Sequence, residues 1–132
     1  MPDKSTTIDA LKQKIGKFIR DRDWEQFHSA KNLSMSMAIE AAELMELFQW
    51  QAPDRKPLVP DLRKKVEHEL ADVAIYVMDF CNLYGIDLSE AIVKKLRHNE
   101  AKYPAAQVRG KTHKYTYYRE AARKRSKNRR KK

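Results

Sequence analysis

Two pairs of acids, Glu40 with Glu43 and Glu69 with Asp72, stand three residues apart in segments whose apolar residues recur with helical spacing. In the first segment Leu33, Met37, Ala41, Leu44 and Phe48 trace one apolar stripe, with Glu40 inside its edge and Glu43 one step further round. In the second the stripe is Leu62, Val66, Leu70, Val73, Val77, Phe80 and Tyr84, with Glu69 at its edge and Asp72 one step beyond. A single E-x-x-E is a common surface pair on an amphipathic helix, and alone it proves little. Its recurrence in register is more informative, because two helices joined by a short loop pack antiparallel and bring all four carboxylates to one point. Mutually close anions repel, and coordination of one or two hard divalent cations is the simplest relief. A charge-zipped helix face is the competing arrangement, with Lys64 and Lys65 available to pair with the acids. Oxygen-only ligands favour Mg²⁺ or Mn²⁺, and a di-iron centre is disfavoured because the one E-x-x-H pair, Glu25 to His28, lies outside the acid-bearing helices.

The elements that must position these acids follow from the punctuation of the chain. With 132 residues, 42% of them hydrophobic, one domain of several packed helices is expected, small for a deep cleft unless oligomerisation supplies further walls. Three glycines and five prolines leave few hairpin signals, so the fold class is all-α. Thr6 or Thr7 can cap a first helix that carries Ile8, Leu11, Ile15, Phe18 and Ile19 and runs to about Arg22. Residues 21–32 break the period and hold Trp24, Phe27 and His28, which either pin this connection to the core or stack on a nucleotide base. The second helix is expected from Ala30 to Gln51, before Pro53, Pro57 and Pro60 forbid continuation. A third runs from Pro60 or Asp61 to Tyr84, with Gly85 as its left-handed cap. A fourth starts at Asp87 in a D-x-x-E pattern with Glu90 and stops at Pro104. Leu88, Ile92, Leu96 and Tyr103 form its stripe, Asn99 lies within it and Lys95 beside it. Asn99 is either a satisfied structural amide or, with Lys95 and Tyr103, part of a set suited to phosphate oxygens. The single cysteine, Cys81, reads as a small core residue.

Charge is unevenly spread. The net charge is +10, but residues 119–132 hold nine Lys or Arg and one acid, a net of +8, which leaves 19 basic and 17 acidic residues, +2, over residues 1–118. The chain is therefore expected to divide into a domain over residues 1–116 and a basic, disordered tail over 117–132. A tail of this kind offers an alternative function as a nucleic-acid-binding arm. No apolar run has the length of a signal peptide or a membrane span, so a soluble, cytoplasmic protein without membrane contact is expected.

In fixed order, E-x-x-E at Glu40 to Glu43, E-x-x-D at Glu69 to Asp72 and KLRHNEAKYP from Lys95 to Pro104 resemble the all-α MazG-type nucleoside triphosphate pyrophosphohydrolases. RDWEQFH at Arg22 to His28, ELFQW at Glu46 to Trp50 and VRGKTHKYT at Val108 to Thr116 look closest to the dCTP pyrophosphatase branch, and the likeness spans about Ile8 to Thr116. The resemblance implies a four-helix MazG-like bundle protomer assembling into a dimer or tetramer, and Mg²⁺-dependent cleavage of a nucleoside triphosphate, dCTP or a modified dCTP, to the monophosphate and pyrophosphate. It makes Glu40, Glu43, Glu69 and Asp72 the metal ligands, with Glu43 by family pattern the alternative base that orients the attacking water; mechanistically, Lys95 together with the metals is expected to stabilise the leaving pyrophosphate. Trp24, His28, Trp50 and Tyr76 match or adjoin the base pocket, and Lys95, Asn99, Tyr103, Arg109 and Lys111 match positions near the phosphates. Ile15 stands where some relatives carry a histidine in the first helix.

Overall fold

The four helices expected from periodicity, and two more after them, form in a computed structural model that describes residues 2–129. They are α1 (Ile8–Arg20), α2 (Ala30–Glu46), α3 (Pro60–Tyr84), α4 (Leu88–Lys102), α5 (Ala105–Val108) and α6 (Tyr115–Arg129), with one 3₁₀ turn at Glu25–Phe27. No strand occurs among the described residues, so the chain is all-α. It divides into two compact units, Met1–Leu88 and Ser89–Lys132.

In the first unit, α3 is the element against which α1 and α2 pack. Glu40 and Glu43 of α2 lie beside Glu69, while the amide of Ala30 donates to the Tyr84 hydroxyl at 2.9 Å, so α2 and α3 run antiparallel. Leu33, 1% exposed, is the deepest side chain of this contact, and Ile19 and Cys81 are the other buried apolar ones among the described residues. On the other flank Gly16 of α1 is buried beside Asn82 of α3. Asn82 Nδ2 donates to the Lys12 carbonyl, and Lys12 Nζ to the Ile86 carbonyl, each at 2.9 Å.

Local chemistry explains the helix ends. The Thr7 hydroxyl accepts from the Ala10 amide at 3.1 Å and starts α1, as the cap pattern predicts. At the other end α1 stops at Arg20, two residues early, because Asp23 takes a left-handed conformation at φ 55° and turns the chain back. The Ser29 hydroxyl accepts from the Asn32 amide and starts α2. That helix ends at Glu46 and not at Gln51: the next bonds, Phe48 to Met45 and Gln51 to Phe48, span three residues, so the chain tightens into turns before Pro53. Three apolar stripes need correcting. Ala41 of α2, Phe48 in the turn after it, Leu70 and Tyr84 of α3, and Ile92 and Leu96 of α4 are exposed, and the buried seam of α2 runs through Leu33, Ser36, Met37, Glu40 and Leu44 to Leu47 at its end.

The second unit holds α4, α5 and α6. The residues from Tyr115 to Arg129, expected to be disordered from 117 onward, form α6, and the expectation for Arg130 to Lys132 lies outside the described residues. An aromatic cluster ties α6 down: the Tyr103 hydroxyl accepts from the Tyr115 amide at 3.2 Å, and the Tyr103 ring meets Tyr115 and Tyr118 edge-on. No helix among the described residues is long and apolar enough to cross a membrane.

Gly85 closes α3 at φ 62°, ψ 32°, and the Ile86 amide reaches the Cys81 carbonyl at 2.9 Å. A Cβ at Gly85 would meet nothing within 4 Å, so the cost of Gly85→Ala is backbone strain alone. The substitution is expected to destabilise the protein by about 1–2 kcal/mol in chemical denaturation. An unchanged midpoint would refute the left-handed cap.

Candidate functional site

α2 and α3 bring three of the four acids together. One carboxylate oxygen from each of Glu40, Glu43 and Glu69 lies within 4.8 Å of the others, with Glu40 and Glu69 half-buried and Glu43 exposed. Asp72, half-buried and one turn along α3 from Glu69, is close enough to act on Glu40 electrostatically. Burial, and then the carboxylates of Glu43, Asp72 and Glu69, hold the Glu40 carboxyl above the usual carboxylate range. None of the four acids has an ion-pair or hydrogen-bond partner among the described residues. Lys64 and Lys65 pair with none of them, so the charge-zipped face does not form. An oxygen-only set this close, without a basic partner, fits a divalent cation of the Mg²⁺ type.

The rest of α3 extends the same row. At about 100° per residue, Glu69, Asp72, Tyr76 and Asp79 fall within one quadrant of the helix. Tyr76 is half-buried one turn beyond Asp72. Asp79, 6% exposed, is the buried charged residue of the described chain, and His28 Nδ1 stands 2.7 Å from its Oδ2. Neither atom has another partner, and at 2.7 Å they are within reach of an Nδ1–H···Oδ2 contact that is bent rather than linear. Burial pushes the Asp79 carboxyl up, His28 opposes this, and the Glu25 carboxylate adds to it. Sequence reasoning passed over Asp79. Its signal was an acid seven residues after Asp72, on the same helix face.

The two tryptophans are surface residues. Trp24 meets Phe18 edge-on at 5.8 Å between ring centres, and the Arg22 guanidinium lies 3.7 Å over Phe18 and 5.9 Å from Trp24. Trp50, 89% exposed, sits on the turn after α2. Lys95, Asn99, Tyr103, Arg109 and Lys111 all belong to the second unit. Lys95, Arg109 and Lys111 are exposed, Asn99 is half-buried, and Tyr103 anchors α6.

Comparison with known proteins adds to this geometry. A model of the MazG-like family matches residues 35–117, which include Glu40, Glu43, Glu69 and Asp72. dCTP pyrophosphatase 1 of Mus musculus is 35% identical over 113 residues, covering 83% of this chain and 66% of that protein. The Bos taurus protein of the same name is 36% identical over 114 residues, covering 83% and 67%. The chain thus spans just under two thirds of the mouse relative's length. A crystal structure of a pyrophosphatase from Archaeoglobus fulgidus superposes with a TM-score of 0.63 at 35% identity, covering 74% of this chain and 92% of that one. With paired acids on two packed helices and a family match over most of its length, this chain belongs to the MazG-like family.

Proposed function

We propose that the protein hydrolyses a nucleoside triphosphate, dCTP or a modified dCTP, to the monophosphate and pyrophosphate. The convergence of Glu40, Glu43 and Glu69 within 4.8 Å, without a basic partner, carries this reading. These residues and Asp72 would hold one or two Mg²⁺ ions, with Mn²⁺ as the alternative. When bound, such ions neutralise the triphosphate and lower the pKa of water. Glu43, the exposed member of the cluster, orients the water that attacks the α-phosphorus. The bond from that phosphorus to its bridging oxygen breaks, the oxygen leaves with pyrophosphate, and the charge of Lys95 stabilises the leaving group. Trp24, Trp50, Tyr76 and His28 receive the base. Homologues named dCTP pyrophosphatase support the choice of substrate.

The catalytic domain in this proposal is residues 1–116, and 117–132 are an accessory. Assembly into a dimer or tetramer is part of it too. Met35, Ile39 and Met45 lie on the side of α2 opposite its α3 contact and are exposed, as on a helix that a further subunit covers.

Three outcomes test the proposal. Glu40→Gln and Asp72→Asn should each lower Mg²⁺-dependent turnover of dCTP by about a hundredfold or more, because loss of even an outer-shell partner of a metal ligand costs 10–100-fold. Metal-free Glu40→Gln should also melt above the wild type at neutral pH. Glu40 has a raised proton affinity in the fold, so its stabilising contribution is present at low pH and lost as pH rises, and the gap should close on acidification. Near-normal turnover of both variants at saturating Mg²⁺ sinks the metal assignment.

Trp50→Ala should raise KM for dCTP roughly tenfold to a hundredfold with the melting temperature little changed, since stacking is worth about 1–3 kcal/mol per base. An unaltered KM takes Trp50 out of the site. Removal of residues 117–132 should leave kcat unchanged and abolish any salt-sensitive affinity for DNA or RNA. A folded but inactive truncation would place the tail within the catalytic domain.

A further inference from the structure

His28 and Asp79 form a buried contact that phosphate chemistry does not require. It lies about two helical turns along α3 from Asp72, with Tyr76 between, so the acid cluster and His28 occupy opposite ends of one face. The His28 side chain is 18% exposed, yet its Nδ1 is fully enclosed, so the exposure belongs to its other atoms. It lines a cavity of about 310 Å³ with Arg20 from α1, Glu25 from the 3₁₀ turn, and Asp79 and Asn82 from α3.

A neutral imidazole has one donor and one acceptor nitrogen, and its partner selects which is which. We propose that Asp79 is a positioning residue whose carboxylate holds the His28 proton on Nδ1, leaving Nε2 as an acceptor that selects bases carrying an exocyclic amine over those with a carbonyl there. This rests on the pyrophosphohydrolase reading and assigns its base selectivity. The carboxylate is neither a metal ligand nor a substrate contact. It acts through the ring, and it occupies a buried position where an apolar residue would otherwise complete the packing of α3.

The test uses the full chain with Mg²⁺ at about pH 8, above the ordinary imidazole range. Nitrogen NMR of the wild type should show His28 with its proton on Nδ1, and Asp79→Asn should shift it toward Nε2. The same variant should raise KM for dCTP about tenfold with kcat little changed, and lower the preference for dCTP over dUTP by a similar factor. In a His28→Gln background, Asp79→Asn should have no further effect on that preference. The proposal is overturned by an Nε2-protonated ring in the wild type, which needs no variant to detect. It is overturned equally by an Asp79→Asn protein with unchanged KM and preference, or by an effect that persists without His28. If the wild type hydrolyses no nucleoside triphosphate, the pyrophosphohydrolase reading and the selectivity fail together, and the NMR measurement still decides whether Asp79 sets the ring.

Discussion

The contact between α2 and α3 is built around a repulsion. Packing Leu33, Met37 and Leu44 against α3 carries Glu40 into the same seam, and the antiparallel register sets it beside Glu69 and Asp72. Near a protein surface, like charges at such separations repel by a few kcal/mol per pair, comparable to what burying one leucine returns. Few side chains among the described residues are fully buried, so little apolar burial is in reserve to offset the cost. A fold that retains such an arrangement is strained in the absence of a counter-charge and relaxed by a cation. On the proposed function, metal binding therefore strengthens the same helix pair that positions the ligands.

Along α3 the acids meet two different fates. Glu69 and Asp72 share their end of the helix with the acids of α2, and like charges there favour protonation or a cation. Two turns on, Asp79 is more deeply buried but has a histidine from the connection that precedes α2. That pairing also fixes the connection itself, since His28 immediately precedes Ser29, the cap of α2. One helix thus sets the register of α2 at one end and the position of its entry at the other. The distance between the two ends is a property of the α-helix, 1.5 Å per residue, and is independent of loop geometry.

Much of this was legible because it depends on local rules. Period-3.6 spacing located the paired acids, proline and glycine bounded α3, and threonine capped α1, each through interactions within a few residues. Tertiary context decided the remainder. Ala41 and Leu70 fit an apolar stripe, but the α2–α3 seam passes beside them, and spacing alone does not say where a partner helix will lie. The end of α2 shifted because tightened turns absorb the chain before Pro53, an effect of how the next segment leaves. Asp79 stayed hidden because its partner is some fifty residues away, on a segment with no helical period to place it. The helicity of α6 was missed for a related reason: its low apolar content argues against independent folding, whereas the Tyr103, Tyr115 and Tyr118 contacts supply local anchoring.

The pattern of α2 had a second face that a one-stripe reading does not capture. Met35, Ala38, Ile39, Ala42 and Met45 recur at three- and four-residue steps on the side away from α3, and Met45 is 67% exposed. A helix apolar on both sides is suited to burial on both sides. The acids of α2 are Glu40, which faces inward along with Ser36, and Glu43 one step further round. Methionine and alanine in the middle of the open side give a smooth, adaptable surface, with the charges of Lys31 and Glu46 at its two ends. On the proposed assembly, covering that face would restrain α2 from behind while the carboxylates push it away from α3 in front. The apolar face and the acid cluster are then two halves of one mechanical arrangement, the first holding in place the helix that the second tends to displace.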